Sequence, residues 1–454
     1  MTIPAHAGGT AFIQLLPTHI YTVGAAVTVA VSFALVVLIP AGALARLPSR
    51  RARIGTMPAR AHAYAAAVSL AAFAVVAALI VAGIAGSRDP YDNPLPLVVW
   101  TVWWIGFTYL HAIFGNVWSV VNPWRGVWHA VTRGPLAGWR ARPPLAYPDW
   151  LAGWPAVLGF VLFAWFELIH PAPMDGAILA HAVAAYVTVH LVATLMYGPT
   201  WLVRAETFSV FFRTVAGVSP FARGPRHTLD VTVPAAKLLD APPLHASGVV
   251  FVVLVLASVS FDGLSRTFAW LTAIGVNPLV YPGRTALMWP NTLGLAGLFV
   301  ALALAYVAAV ALGKVIGGVR EPVGALVRTF ALALVPIVCG YHFAHYLPVF
   351  LVDAQWAVRA VSDPFARGWN VFGTRDLHVI TSLVSDASRV YLIWHAQVAL
   401  IVLAHVAGVV VAHGLAGRVD ARPRALVAGQ LPLLVLMIGY TTLGLWLLST
   451  PAVG

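Results

Sequence analysis

His342 and His345 stand three residues apart in the apolar string GYHFAHYLP, a spacing that puts both imidazoles on one face of a helix. Glu167 and His170 close another apolar run in FELIHP, and Asp262 closes a third in SFDGLSRT. His395 and His181 lie near the starts of two further runs, and Asp353 and Asp363 follow the histidine pair. Neutral imidazoles and carboxylates are what a divalent ion such as Zn or Mn accepts, and the bound ion lowers the pKa of its water to about 7. The chemistry open to such a set is metal-activated water, with His342, His345 and His395 as metal ligands and Glu167 or Asp262 as a further ligand or general base. His170, His181, Asp353 and Asp363 are the expected binding residues.

Two other chemistries use the same side chains. In a carrier or permease for an apolar solute they would relay protons or bind the solute. In a redox protein, His345 with His395 would hold haem b, whereas the pairs His181/His190 and His405/His413 are awkwardly spaced for facing helices. A lone intramembrane histidine also serves simply as a hydrogen bond between helices. No HExxH, GxSxG or P-loop string occurs to choose among these.

The elements that must position these residues follow from composition. Of 454 residues only 9% are charged and 60% are hydrophobic, against about 25% charged in a soluble domain. Such a surface needs lipid, and continuous apolar runs of about 20 residues mean helices rather than barrel strands. Spans are expected at about 19–44, 62–85, 95–114, 150–169, 176–198, 244–261, 290–312, 326–350, 389–414 and 429–449. The first run is too long, and lacks the basic flank, for a cleavable signal peptide. Alternate loops carry 20 of the 27 basic residues, which by the positive-inside rule are cytoplasmic. The fold expected is an all-α, polytopic transmembrane helix bundle of ten spans in a bacterial inner membrane, one domain over 1–454, with N-terminus and C-terminus outside.

Orientation converts position into depth. His342 and His345 fall about 8–12 Å below the outer surface at 1.5 Å per residue, with His395 at similar depth and Glu167, His170, His181 and Asp262 near the same face. Spans four, six, eight and nine are expected to converge there, because separate ionisable groups facing lipid would each be penalised. The 351–388 outer loop is long enough to cover the cavity. Loops 115–149 and 199–243, rich in Trp and Arg, suit cytoplasmic interfacial helices or a docking surface for a second membrane subunit. The net charge of +12 has no basic stripe with interleaved aromatics, which argues against nucleic acid. The single cysteine, Cys339, excludes intrachain disulfides, thiolate zinc sites and iron–sulfur clusters.

Several strings occur together: GNVWSVVNPW, SFDGLSRT, GYHFAHY, DPFARGW, AHVAGVVVAH and QLPLLVLMIGYTTLGLWLLS. From about residue 95 to the C-terminus the chain resembles the fenitrothion hydrolases, bacterial organophosphate-degrading integral membrane proteins. The resemblance implies phosphotriester hydrolysis releasing a nitrophenol. Its strings are not catalytic signatures, so it assigns no site residue.

The charge asymmetry predicts that alkaline phosphatase fused at Gly454 is active and a fluorescent protein fused there is dark. The opposite pair of readings would overturn the topology.

Overall fold

The computed structural model describes residues 18–56, 61–224 and 228–450; Arg60, Arg226 and both chain ends lie outside the described residues. Among the described residues ten helices are long and apolar enough to cross a membrane, and the chain is a multi-pass membrane protein. These are α1 (Thr18–Val37), α2 (Ala61–Ala85), α3 (Pro94–Phe114), α4 (Trp154–Leu168) and α5 (Gly176–Tyr197). After them come α6 (Ala246–Ser265), α7 (Arg284–Gly317), α8 (Leu334–Ala360), α9 (Ala387–Val419) and α10 (Leu431–Ser449). Inside hydrocarbon a helix satisfies its own backbone, so apolar length is enough to specify each one. α6 and α8 are the most buried of the ten.

Loop contacts sort by parity, as alternating crossings require. On one face Arg88 pairs with Asp175 at 2.9 Å, Tyr91 packs on Trp356, and Arg284 donates to carbonyls at the end of α4. These contacts join the loops after α2, α4, α6 and α8; we call this the acidic face. On the opposite, basic face Arg328 donates to the Leu244 carbonyl, Arg418 to that of Leu239 and Arg422 to that of Gly318. A three-stranded antiparallel sheet also lies there. Its central strand β3 (Thr228–Thr232) is flanked by β1 (Arg51–Thr56) and β2 (Phe221–Arg223).

Two loop expectations need correction. Residues 199–243 do not lie flat at the interface: the helix Thr207–Val215 pushes Phe208, Phe211 and Phe212 into the bundle, where they are fully buried. Trp118 and Trp124 of the 115–149 segment are buried as well, so these aromatics are consumed by internal packing rather than left for a partner. The outer loop is shorter than 351–388 because α8 runs on to Ala360 and α9 begins at Ala387.

Glu206 anchors the inserted helix. Wholly buried, its carboxylate accepts from the backbone N–H groups of Phe208 (2.9 Å) and Ser209 (2.7 Å), Trp118 Nε1 (3.0 Å) and Asn122 Nδ2 (3.4 Å). The hydroxyls of Tyr186 and Ser209 complete the set. A buried charge is tolerable only when so paired. Glu206→Leu should therefore cost more than about 3 kcal/mol, because each hydrogen bond to a charged group is worth roughly 1.5–3 kcal/mol. Equilibrium unfolding in mixed micelles checks this; a loss within about 0.5 kcal/mol, the range of ordinary surface changes, would contradict the anchoring role.

Candidate functional site

The acidic face opens into a narrow crevice between α3, α4, α6 and α8, about 530 Å³ with the space open to solvent at its mouth included. On α3 its wall is Trp100, Thr101, Trp104 and Ile105. All four fall on Val98–Gly106, where the helix widens: the Phe107 N–H reaches back to the Val102 carbonyl, five residues away. A turn closed at five residues brings positions four and five apart to one side, and such π-helical stretches are frequent at functional sites.

Two carboxylates face this wall, each tied to α8. Asp262, at the end of α6, accepts from His345 Nε2 at 2.9 Å, and its other oxygen lies 3.6 Å from Arg266, one turn on. Glu167, at the end of α4, accepts from the Tyr346 hydroxyl at 3.1 Å. His345 and Tyr346 are adjacent, so one turn of α8 supplies a partner to each acid. Arg284, which opens α7 and lines the crevice, donates to the carbonyls of Glu167 (3.0 Å) and His170 (3.2 Å) and so closes the end of α4.

Asp353 also lines the crevice, one α8 segment further along. It is 5% exposed. Among the described residues no hydrogen bond or ion pair reaches its carboxylate.

Below, the crevice ends on packed rings. Trp104 stands 4.7 Å from Phe163 and 5.0 Å from Phe211, with Phe160 beyond, between centroids. Phe211 comes from the helix that Glu206 anchors, so the basic-face segment supplies part of the floor. His342 is sealed in this layer, its ring edge-on to Trp104 at 4.8 Å.

The remaining expected residues separate. His395 is turned to α1, accepting from the Tyr21 hydroxyl at 2.9 Å while its Nδ1 donates to the Tyr391 carbonyl. It does not join His342 and His345, and among the described residues no three His, Cys, Asp or Glu side chains are grouped to hold a metal ion. The haem pair His345 and His395 is likewise directed at different partners. His181 is exposed on α5, its Nδ1 donating to the Ala177 carbonyl. His170 stacks on Phe166 at 4.8 Å; burial, then the Arg284 charge, holds its pKa below the ordinary value. Asp363 folds its own loop, accepting from the Arg367 and Gly368 N–H groups. No residue of the 361–386 loop lines the crevice.

Three of the four spans expected to converge do so. α9 is replaced by α3 and the start of α7. Arg266 and Arg284 escaped sequence reasoning although a signal existed: they are two of seven basic residues on the arginine-poor side. Trp100, Trp104 and Tyr346 gave none, since aromatic residues in spans are ordinary. A second crevice of about 440 Å³ on the basic face offers less chemistry. Its Lys314 already donates to loop carbonyls and its Asp420 is paired with Arg422.

No protein-family profile matches this sequence, no curated protein is similar to it, and no solved structure matches its fold.

If Tyr346 and Glu167 act as a pair, their substitutions are not additive. Tyr346→Phe should destabilise the native protein and cost much less in a Glu167→Leu background, with a coupling of about 1–3 kcal/mol. Additive losses in a four-way unfolding comparison would dissolve the pair.

Proposed function

We propose that this chain is a hydrolase of an amphipathic phosphoester, set in a bacterial inner membrane with its crevice open to the periplasm. The observation that carries the reading is Asp262, a crevice carboxylate backed by a histidine at 2.9 Å and an arginine at 3.6 Å, beside an aromatic wall. The 20-to-7 split of basic residues supports the orientation. The resemblance to fenitrothion hydrolases supports the substrate class, a phosphotriester with an aryl leaving group.

Ile105, Leu168 and Val349 hold the aryl group. Arg266 and Arg284 face the phosphoryl oxygen, where negative charge grows in the transition state. Asp262 takes a proton from water as the water oxygen bonds to phosphorus. The opposite P–O bond breaks, and the aryloxide leaves with the electron pair. His345 donates to Asp262 and fixes its orientation, and the proton ends in bulk water. Glu167 is a positioning residue that holds the Tyr346 hydroxyl at the wall. The step draws on no metal, since His342 and His395 are directed elsewhere. The ring-packed floor favours a site served from one face over a carrier, which needs a route through.

The test is release of 4-nitrophenolate from diethyl 4-nitrophenyl phosphate by the purified chain in nanodiscs. Asp262→Asn should lower kcat/KM by about 100-fold or more, the usual worth of a general base, and EDTA should leave activity intact. Absence of turnover by the wild type would overturn the reading. Loss in EDTA, restored by Zn or Mn, would overturn the metal-free step.

A further inference from the structure

Each charged group of the crevice except one already has a partner. Asp262 has His345 and Arg266; Glu167 has Tyr346; Arg284 has two carbonyls. Asp353 has none among the described residues, although it is 5% exposed and lines the same crevice as Trp100 and Trp104. A nearly buried carboxylate without a donor is costly unless something else supplies the positive charge. Neither lining arginine reaches it: Arg266 lies against Asp262 and Arg284 donates to carbonyls at the end of α4. Tryptophan faces are the best aromatic partners for a cation, and Trp100 is fixed in place by its N–H bond to the Pro173 carbonyl at 3.1 Å.

We infer that Asp353, with the partly exposed Trp100, is a subsite for an organic cation: the substrate carries an ammonium group beside its phosphoester. Asp353 supplies the counter-charge and the Trp100 indole supplies cation–π contact, so a quaternary ammonium, which has no N–H to donate, is accepted. The phosphoryl group then lies toward Arg266 and Arg284, and the two ends of one ligand meet opposite charges. This rests on the hydrolase reading for the phosphoester but not for the cation. The ammonium group can belong to a water-soluble ester or to a lipid headgroup of the outer leaflet.

Calorimetric titration of the full chain in dodecyl maltoside, with benzyltrimethylammonium and benzenesulfonate as probes of opposite charge, tests the subsite directly. Benzyltrimethylammonium should bind at least tenfold more tightly than benzenesulfonate. Asp353→Asn should abolish that preference, Asp353→Glu should keep it, and Trp100→Leu should weaken cation binding severalfold. Equal binding of the two probes by the wild type overturns the subsite, whether or not the variants fold. A preference that survives in folded Asp353→Asn overturns the role of Asp353. Competition by phosphatidylcholine but not phosphatidylglycerol assigns the cation to a lipid headgroup; competition by neither assigns it to a soluble ester. Because the probes are not hydrolysed, cation binding without phosphoester turnover removes the hydrolase reading and leaves the subsite standing. Turnover of neutral esters without cation preference does the reverse.

Discussion

Burying a carboxylate in an apolar bundle is the constraint on which the rest of this molecule turns. A charge held away from water must be paired or saturated with hydrogen bonds. The chain meets that demand in different ways at its two faces. Glu206 is surrounded by donors from three segments and pins the helix Thr207–Val215 inside the bundle. Glu167 and Asp262 receive one principal donor each from α8 and remain on a crevice wall. Saturation at one end makes a rigid floor, and partial pairing at the other leaves acids able to act on a ligand.

The two ends are mechanically joined. Phe211 lies on the helix that Glu206 caps, and its ring packs on Trp104, which is both floor and wall of the crevice. The π-helical stretch of α3 completes the arrangement by turning Trp100, Thr101, Trp104 and Ile105 to one side.

Much of the architecture was legible in the sequence because hydrocarbon leaves few options. Apolar run length fixed the ten helices, and loop parity anticipated which connections meet; the observed pairs Arg88–Asp175 and Arg422 with the Gly318 carbonyl obey it. Depth along the chain correctly grouped Glu167, Asp262 and His345. Depth alone could not say which side of a helix faces inward, and there the reading of His395 failed, since its ring turns to Tyr21 on α1. Helix rotation depends on packing partners, and partners such as Trp104 carry no distinctive spacing. The inserted Thr207–Val215 helix was read as interfacial because a Trp- and Arg-bearing amphipathic segment looks the same whether its apolar face meets lipid or protein.

We propose that the crevice is reached from the periplasm alone and is closed below by packed rings. Cysteine accessibility tests it directly, since Cys339 is the only native thiol and is buried. In a Cys339→Ala background, Val349→Cys on the crevice wall and Phe211→Cys in the floor are exposed to a membrane-impermeant maleimide from either side. The account predicts labelling of Val349→Cys from the periplasmic side only and none of Phe211→Cys from either side. Labelling of Val349→Cys from the cytoplasmic side, or of Phe211→Cys from the periplasm, would contradict it.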